Sequence, residues 1–257
     1  MRKSQRMRKS LRTAATVAGL SMAALGVARA QSLSPLARSP NSVRSEIDAR
    51  WRESLDAFAA ADRTAAPQPG GVLFVGSSSI RLWGNLETQF DQQPSVIKRG
   101  FGGSRLSDVA RYLDRLVLPY QPRLVVVYAG DNDLAEGATP QQVLQSFQTL
   151  VEGVKAALPD TRIAYLSIKP SPLRASLMPA IHDTNALISA YAGKTPNLDF
   201  IDIYSKMLDS SGQPRPELFL EDRLHMNEQG YALWRKEIAS HLLPGNKPQP
   251  MQTAAAN

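Results

Sequence analysis

Five short apolar segments alternate with longer amphipathic stretches, and this alternation constrains the fold more than any other feature of the sequence. The apolar segments are predicted strands at Val72–Val75, Ser95–Lys98, Leu124–Ala129, Arg162–Ile168 and Leu198–Ile203. Runs such as LVVVYAG at 124–130 lack alternating polar residues, which is typical of strands buried on both faces of a parallel sheet. The sequence therefore predicts an α/β domain with a mostly parallel sheet covered by helices on both faces.

The stretches around the strands have the spacing of amphipathic helices. Before the first strand, between Ser42 and Arg63, apolar residues recur every three or four positions at Ile47, Trp51, Leu55 and Phe58. Further helices are predicted over Leu106–Leu116, from Pro140 after a Thr139 cap, and near Ala175–Ala192 and Glu228–Leu242. A single domain over residues 42–243 contains all these elements, between a loose segment at 31–41 and a tail at 244–257 that we expect to be disordered.

The positive charge of the chain is concentrated at its beginning. The 257 residues carry a net charge of +7, and residues 1–30 hold seven basic residues and no acidic one, so residues 31–257 are neutral overall. The basic start, the apolar run Ala14–Val27 and the small residues Ala28 and Ala30 predict a secretory signal over residues 1–30. We therefore expect an exported bacterial protein, periplasmic or secreted, with no membrane segment after signal removal and no nucleic-acid partner.

Cysteine is absent, and histidine occurs only at positions 182, 225 and 241. The lack of cysteine excludes disulfides, thiolate metal sites and cysteine nucleophiles. Any chemistry that needs an imidazole must therefore use one of three residues. His182 has Asp183 as a neighbour, but adjacent residues on a helix point in different directions. His241 lies in the last predicted helix, where we expect a structural role.

Polar loops follow the first three predicted strands, and a fourth precedes the last helix. They read GSSS at 76–79, RGFGGSRLSDV at 99–109, AGDND at 129–133 and EDRLHMNEQGY at 221–231. In a parallel sheet, ligands bind beyond the carboxyl ends of the strands, where such loops gather. Acyl transfer by serine needs a hydroxyl, a histidine, a carboxylate and donors for the oxyanion, and these loops contain all four.

Each loop also has a simpler interpretation when it is taken alone. A serine-rich turn is usually only a turn, and paired glycines often serve a tight turn. The DND sequence does not fit a calcium loop, because position six would be Glu136 and position twelve Gln142. No phosphate-binding pattern with a lysine follows the first strand. We therefore predict no metal and no cofactor.

Taken together, the four loops resemble the blocks of the SGNH hydrolase superfamily, the GDSL-type esterases and lipases. The resemblance covers about residues 70–240 and keeps the order and spacing of the blocks. It implies a five-stranded, flavodoxin-like sheet in a single three-layer domain and a serine esterase without a cofactor. It also implies a nucleophile at Ser78, a triad completed by Asp222 and His225, and an oxyanion hole formed by Ser78, Gly103 and Asn132.

One block departs from the family pattern. Ser77 stands where the family has aspartate, and Ser79 where it has leucine, so two further hydroxyls flank the predicted nucleophile. We expect Asp222 and His225, three residues apart, to face each other on one helical turn. Lys169, Ser171 and Arg174 follow the fourth strand, where either substrate contact or a solvated loop fits them.

The sequence defines the substrate only in outline. Little room for a lid separates the blocks, so we expect short acyl esters, with acetyl groups on carbohydrates as one class. A lysophospholipase or thioesterase acting on longer chains is the alternative enzyme. A non-catalytic carbohydrate-binding relative is the alternative outside enzymes, and the oligomeric state is left open.

Overall fold

The computed structural model describes residues 40–242, with side chains from residue 49 onward. The predicted signal at 1–30, almost all of the loose segment at 31–41 and the tail at 244–257 lie outside the described residues, as does the side chain of Ile47. Internal contacts divide the chain between Val43 and Arg44, and the fold set out below is that of the unit beginning at Arg44.

Five strands form one sheet in which every pairing is parallel, in the order β2-β1-β3-β4-β5. The strands are β1 (Val72–Gly76), β2 (Val96–Gly100), β3 (Leu124–Tyr128), β4 (Arg162–Leu166) and β5 (Leu198–Ile201). This is the order of flavodoxin-like folds. The predicted α/β class and parallel sheet are confirmed, and the strand boundaries differ from the predicted ones by one or two residues.

Nine α-helices lie within residues 40–242. They are α1 (Pro40–Thr64), α2 (Ser78–Arg81), α3 (Leu86–Gln89), α4 (Leu106–Arg111), α5 (Leu113–Leu116), α6 (Asp131–Ala135), α7 (Pro140–Ala157), α8 (Met178–Ala192) and α9 (Glu228–Ala239). The single helix predicted over Leu106–Leu116 is wrong: Tyr112, with φ −109° and ψ 30°, separates α4 from α5. The Thr139 cap of α7 is confirmed, since its side chain accepts from the N–H of Gln142.

The two faces of the sheet are covered by different helices. On one face, alternate strand residues such as Val75 and Val127 pack against α1, α4, α7 and α8. On the other, Phe74 and Val126 pack with the aromatic side chains of Trp83 and Trp234, the latter from α9. Because both faces are buried, the strands need apolar residues at nearly every position. No helix within residues 40–242 is both long and apolar enough to cross a bilayer.

The end of β1 makes an abrupt turn that brings α2 directly after the strand. Gly76 has φ +146°, and a side chain there would overlap the carbonyl oxygen of Tyr128 on β3. Only glycine allows this conformation and this close approach. The residues that follow, beginning with Ser77, are therefore held at the carboxyl edge of the sheet, between the loops that follow β2 and β3.

Candidate active site

Three consecutive serines follow β1, and their environments differ. Ser77 and Ser79 are buried, and nothing within residues 40–242 hydrogen-bonds to either hydroxyl. Ser78 is only partly buried at the start of α2, and its Oγ lies 3.0 Å from Nε2 of His225. Of the three hydroxyls, only that of Ser78 hydrogen-bonds to a histidine within the described residues.

Asp222 and His225 lie in a tight turn, so the helical turn expected from the sequence is wrong. Phe219 and Met226 form an antiparallel bridge, and between them the N–H of Leu220 donates to the carbonyl of His225 at 2.8 Å. Arg223 takes the left-handed conformation, with φ +58°. The turn precedes α9 and directs both side chains toward α2.

The carboxylate of Asp222 holds this turn together. Its Oδ1 accepts from the N–H groups of Leu224 and His225, each at 2.9 Å, and its Oδ2 lies 2.6 Å from Nδ1 of His225. Loss of solvation acts to raise the pKa of Asp222, but these donors outweigh it and lower that pKa to about 2. A carboxylate only accepts, so Nδ1 carries the proton in the neutral ring, and Nε2 is left to accept from Ser78.

The two predicted oxyanion residues lie on either side of Ser78, because β1 runs between β2 and β3. Gly103 follows β2 with φ +79°, a conformation that favours glycine. Asn132 lies in α6, after β3. Its Nδ2 donates to the carbonyl of Ser104 at 3.0 Å, and both carboxylate oxygens of Asp133 accept from the N–H of Leu106. The loops carrying Gly103 and Asn132 are thus cross-linked.

Helix α1 packs against the same glycine turn. The guanidinium of Arg50 donates to the carbonyl of Gly103 at 3.4 Å and lies over the ring of Trp51, 4.4 Å from its centre. Trp51 meets Phe101 edge to face, with ring centres 5.1 Å apart. The sequence predicted a buried face for this helix but not its contact with the turn.

A buried group of charges lies beneath Asn132. Lys169 is 2% exposed, and its ammonium lies 3.1 Å from Asp131 and 3.2 Å from the hydroxyl of Tyr128. Arg174 lies 3.1 Å from the same carboxylate. Burial acts to raise the pKa of Asp131, but the positive charges of Lys169 and Arg174 outweigh it and hold that pKa below its ordinary value. Desolvation lowers the pKa of Lys169 despite the nearby aspartate.

The loop after β4 is therefore not solvated where Lys169 and Ser171 lie, since both are buried. Arg174, also from this loop, donates to Oδ1 of Asn132 at 2.9 Å.

The other two histidines take no part in the site. The side chain of His182 is 70% exposed beside Asp183, and His241, beyond the end of α9, has a pKa lowered by burial. Among the side chains described, those of residues 49–242, no cluster could ligate a metal ion.

A family model described as the GDSL-like lipase/acylhydrolase family matches residues 64–233, well over half of the chain. The chain belongs to this family. The resemblance to the SGNH hydrolases is thereby confirmed, and the protein is a serine carboxylic ester hydrolase of the GDSL type. At the position where the chain departs from the family motif, Ser77 is buried, and the hydroxyl next to it, that of Ser78, still contacts His225.

Proteins that are similar to this chain in sequence or in fold come from a plant, a bacterium and a fungus. The GDSL esterase/lipase WDL1 of Oryza sativa subsp. japonica is 26% identical over an alignment of 208 residues, with coverage of 67% of this chain and 78% of that protein. A GDSL-like lipase from Bacteroides thetaiotaomicron is 24% identical, with a TM-score of 0.63 and coverage of 73% and 96%. A carbohydrate esterase family 3 protein from Talaromyces cellulolyticus is 17% identical, with a TM-score of 0.53 and coverage of 66% and 95%. The two structures share the fold.

Proposed function

We propose that this GDSL-type hydrolase cleaves esters through an acyl-enzyme formed on Ser78. The observation that carries the proposal is the continuous chain of contacts from Asp222 to His225 at 2.6 Å and from His225 to Ser78 at 3.0 Å. An exposed serine with no base would be a poor nucleophile at neutral pH. Asp222 fixes the orientation of the His225 ring, so that Nε2 can act as the base beside Ser78.

In this mechanism, Nε2 of His225 takes the proton from Ser78 as Oγ attacks the ester carbonyl. The tetrahedral intermediate collapses when the protonated His225 gives its proton to the leaving alcohol, which leaves an acyl group on Ser78. Water, deprotonated by the same Nε2, then attacks the acyl-enzyme, and the acid product departs as Oγ regains a proton. Asp222 stays ionised throughout and stabilises the charged imidazole.

The oxyanion would be held by the backbone N–H groups of Ser78 and Gly103 and by the side-chain amide of Asn132. Ser78 is the first residue of α2, so its N–H has no acceptor within the helix. Three donors on three loops around one serine match the requirement of a tetrahedral intermediate, and loss of one such donor typically costs about 2.7–4 kcal/mol of barrier.

For the substrate we propose short acyl esters, with acetylated carbohydrates as the first class to test. The turns that follow β1, β2 and β3 are short, and the long stretch between β5 and α9 contains Asp222 and His225 themselves. The carbohydrate class is suggested by the esterase from Talaromyces cellulolyticus that shares the fold.

We also propose export directed by residues 1–30. N-terminal sequencing of the exported protein should then show Gln31 as the first residue, and Met1 as the first residue would contradict the proposal.

A longer acyl chain is the second candidate, and one observation favours it. The large hydrophobic side chains that are exposed within residues 49–242 are Leu82, Leu173 and Leu220. Each is hydrogen-bonded through its backbone N–H to the site: Leu82 to Ser78, Leu220 to His225 and Leu173 to Arg223 of the triad turn. Exposed apolar side chains beside a nucleophile would suit an alkyl chain.

The test is labelling with a fluorophosphonate together with turnover of p-nitrophenyl esters from acetate to decanoate. We expect the adduct on Ser78, turnover lost in Ser78→Ala and His225→Ala, and full labelling of the matched control Ser79→Ala if that variant folds. Activity falling steadily from acetate to decanoate supports the short-acyl proposal, and the reverse order supports the second candidate. A folded protein with neither label nor turnover would contradict catalysis and favour a carbohydrate-binding role.

A further inference from the structure

We infer that Arg174 is a positioning residue that fixes the orientation of the Asn132 amide for the oxyanion. The inference rests on the proposed function. Arg174 lies in a short 3₁₀ segment, Pro172–Leu177, and its Nη2 donates to Oδ1 of Asn132 at 2.9 Å. The two residues are 42 positions apart and come from the loops that follow β4 and β3.

The contact with Arg174 and the contact with Ser104 together fix which way the amide faces. The two ends of an asparagine side chain have nearly the same shape, so a flip by 180° would exchange a donor for an acceptor. A guanidinium only donates, so the atom facing Arg174 must be the oxygen. The nitrogen then faces the carbonyl of Ser104 at 3.0 Å, and its second hydrogen has no role in either contact. That hydrogen is the one available to an oxyanion.

Arg174 is itself held in place from two directions. Its Nη1 lies 3.1 Å from Asp131, whose carboxylate is also neutralised by the buried Lys169. The N–H of the preceding residue, Leu173, donates to the carbonyl of Arg223 in the triad turn at 3.0 Å. One guanidinium therefore hydrogen-bonds to Asn132 and forms an ion pair with its neighbour Asp131, which the single ammonium of a lysine would not do in the same geometry.

Loss of this contact should act on the transition state more than on substrate binding. With Arg174 removed, the Ser104 contact alone holds the Asn132 amide, so the donor is less firmly oriented before the oxyanion forms. A preorganised donor contributes mainly where charge develops, so kcat should fall while KM changes little. An arginine that instead contacted an anionic part of the substrate would mainly change KM.

The experiment compares Arg174→Gln and Arg174→Lys with Arg162→Gln in the full chain, using p-nitrophenyl acetate. Arg162 is a close control, because it pairs with the buried Asp199 at 2.6 Å and is 20% exposed against 16% for Arg174. It lies at the start of β4, at the amino ends of the strands, whereas the candidate site lies at their carboxyl ends. We expect both Arg174 variants to lose about 10- to 100-fold in kcat with KM changed less than about 3-fold, and Arg162→Gln to keep wild-type kcat.

A double-mutant cycle with Asn132→Ala separates positioning from a general structural effect. If Arg174 acts through Asn132, adding Arg174→Gln to the Asn132→Ala variant should lower kcat by less than about 3-fold. Equal losses in both backgrounds, a rise in KM with kcat retained, or full kcat in Arg174→Lys would overturn the inference. Arg174→Lys keeps a positive charge beside Asp131, so it keeps the test valid if Arg174→Gln does not fold. Activity retained in Ser78→Ala would instead refute the proposed function itself.

Discussion

Asp133 should make the protein less stable as the pH rises from about 4 to about 6. This carboxyl is 4% exposed in α6, and burial raises its pKa to about 6, with Asp131 and Asp108 adding to the shift. Its contacts with the N–H of Leu106 oppose the shift but do not cancel it. Arg105, which also faces Asp133, is paired with Asp108.

The sign and size of the effect follow from linkage. A folded-state pKa above the unfolded value means that the folded protein binds this proton more tightly, so unfolding becomes easier as the proton is lost. A pKa rising from 3.8 to about 6 corresponds to about 3 kcal/mol of unfolding free energy lost across this interval. Asp133→Asn removes the charge but keeps an oxygen for Leu106, so it should gain up to about 3 kcal/mol above pH 7.

Urea denaturation from pH 4 to pH 8 provides the measurement. The difference in unfolding free energy between Asp133→Asn and wild type isolates this one group from all others that titrate. It should rise between pH 4 and 6 and then stay level, while Asp114→Asn, an exposed change on α5, should follow wild type throughout. A difference that stays flat over this interval, or a variant less stable than wild type at pH 8, would refute the argument.

Three further outcomes are expected. Gly76→Ala should cost more than about 3 kcal/mol of stability, because a methyl group would overlap the carbonyl of Tyr128 and the backbone φ is +146°. A change of about 1 kcal/mol already shifts the melting temperature by about 2–4 °C, so a melting temperature within about 2 °C of wild type would contradict this. Asp222→Asn should lower kcat at pH 7 by about 10⁴, since an amide no longer fixes the tautomer of His225; a loss under tenfold would show that the contact is not needed. Trp51→Ala should cost about 3–5 kcal/mol and lower kcat as well, which unfolding and turnover measurements on the same sample would separate.

The sequence predicts most of the fold because its strands are buried on both faces. Segments such as Leu124–Tyr128 are apolar at every position, and only a sheet covered by helices on both sides gives them that environment. The break at Tyr112 was missed because the apolar spacing continues through it. The same spacing fits one long helix or two short ones, and tertiary packing decides between them.

The structure brings together residues that the sequence marks by local motifs, and it adds contacts that no motif indicates. Ser78, Asp222 and His225 come together as the motif order implies, although their catalytic roles stay predictions. The turn around Asp222 was predicted as a helix because spacing alone does not distinguish a helical turn from a carboxylate that accepts two backbone N–H groups. Arg174 and Asn132, 42 residues apart, have no pattern in common.

Helix α1 lies before residue 64, where the match to the family begins, yet Arg50 and Trp51 in that helix contact the glycine turn beside the nucleophile. A fragment cut at the family boundary would retain all five strands and every residue of the predicted triad. It would also expose the edge of Phe101 and release the carbonyl of Gly103. We therefore expect the smallest active fragment to be longer than residues 64–233, because part of what supports the glycine turn lies before the residues that match the family.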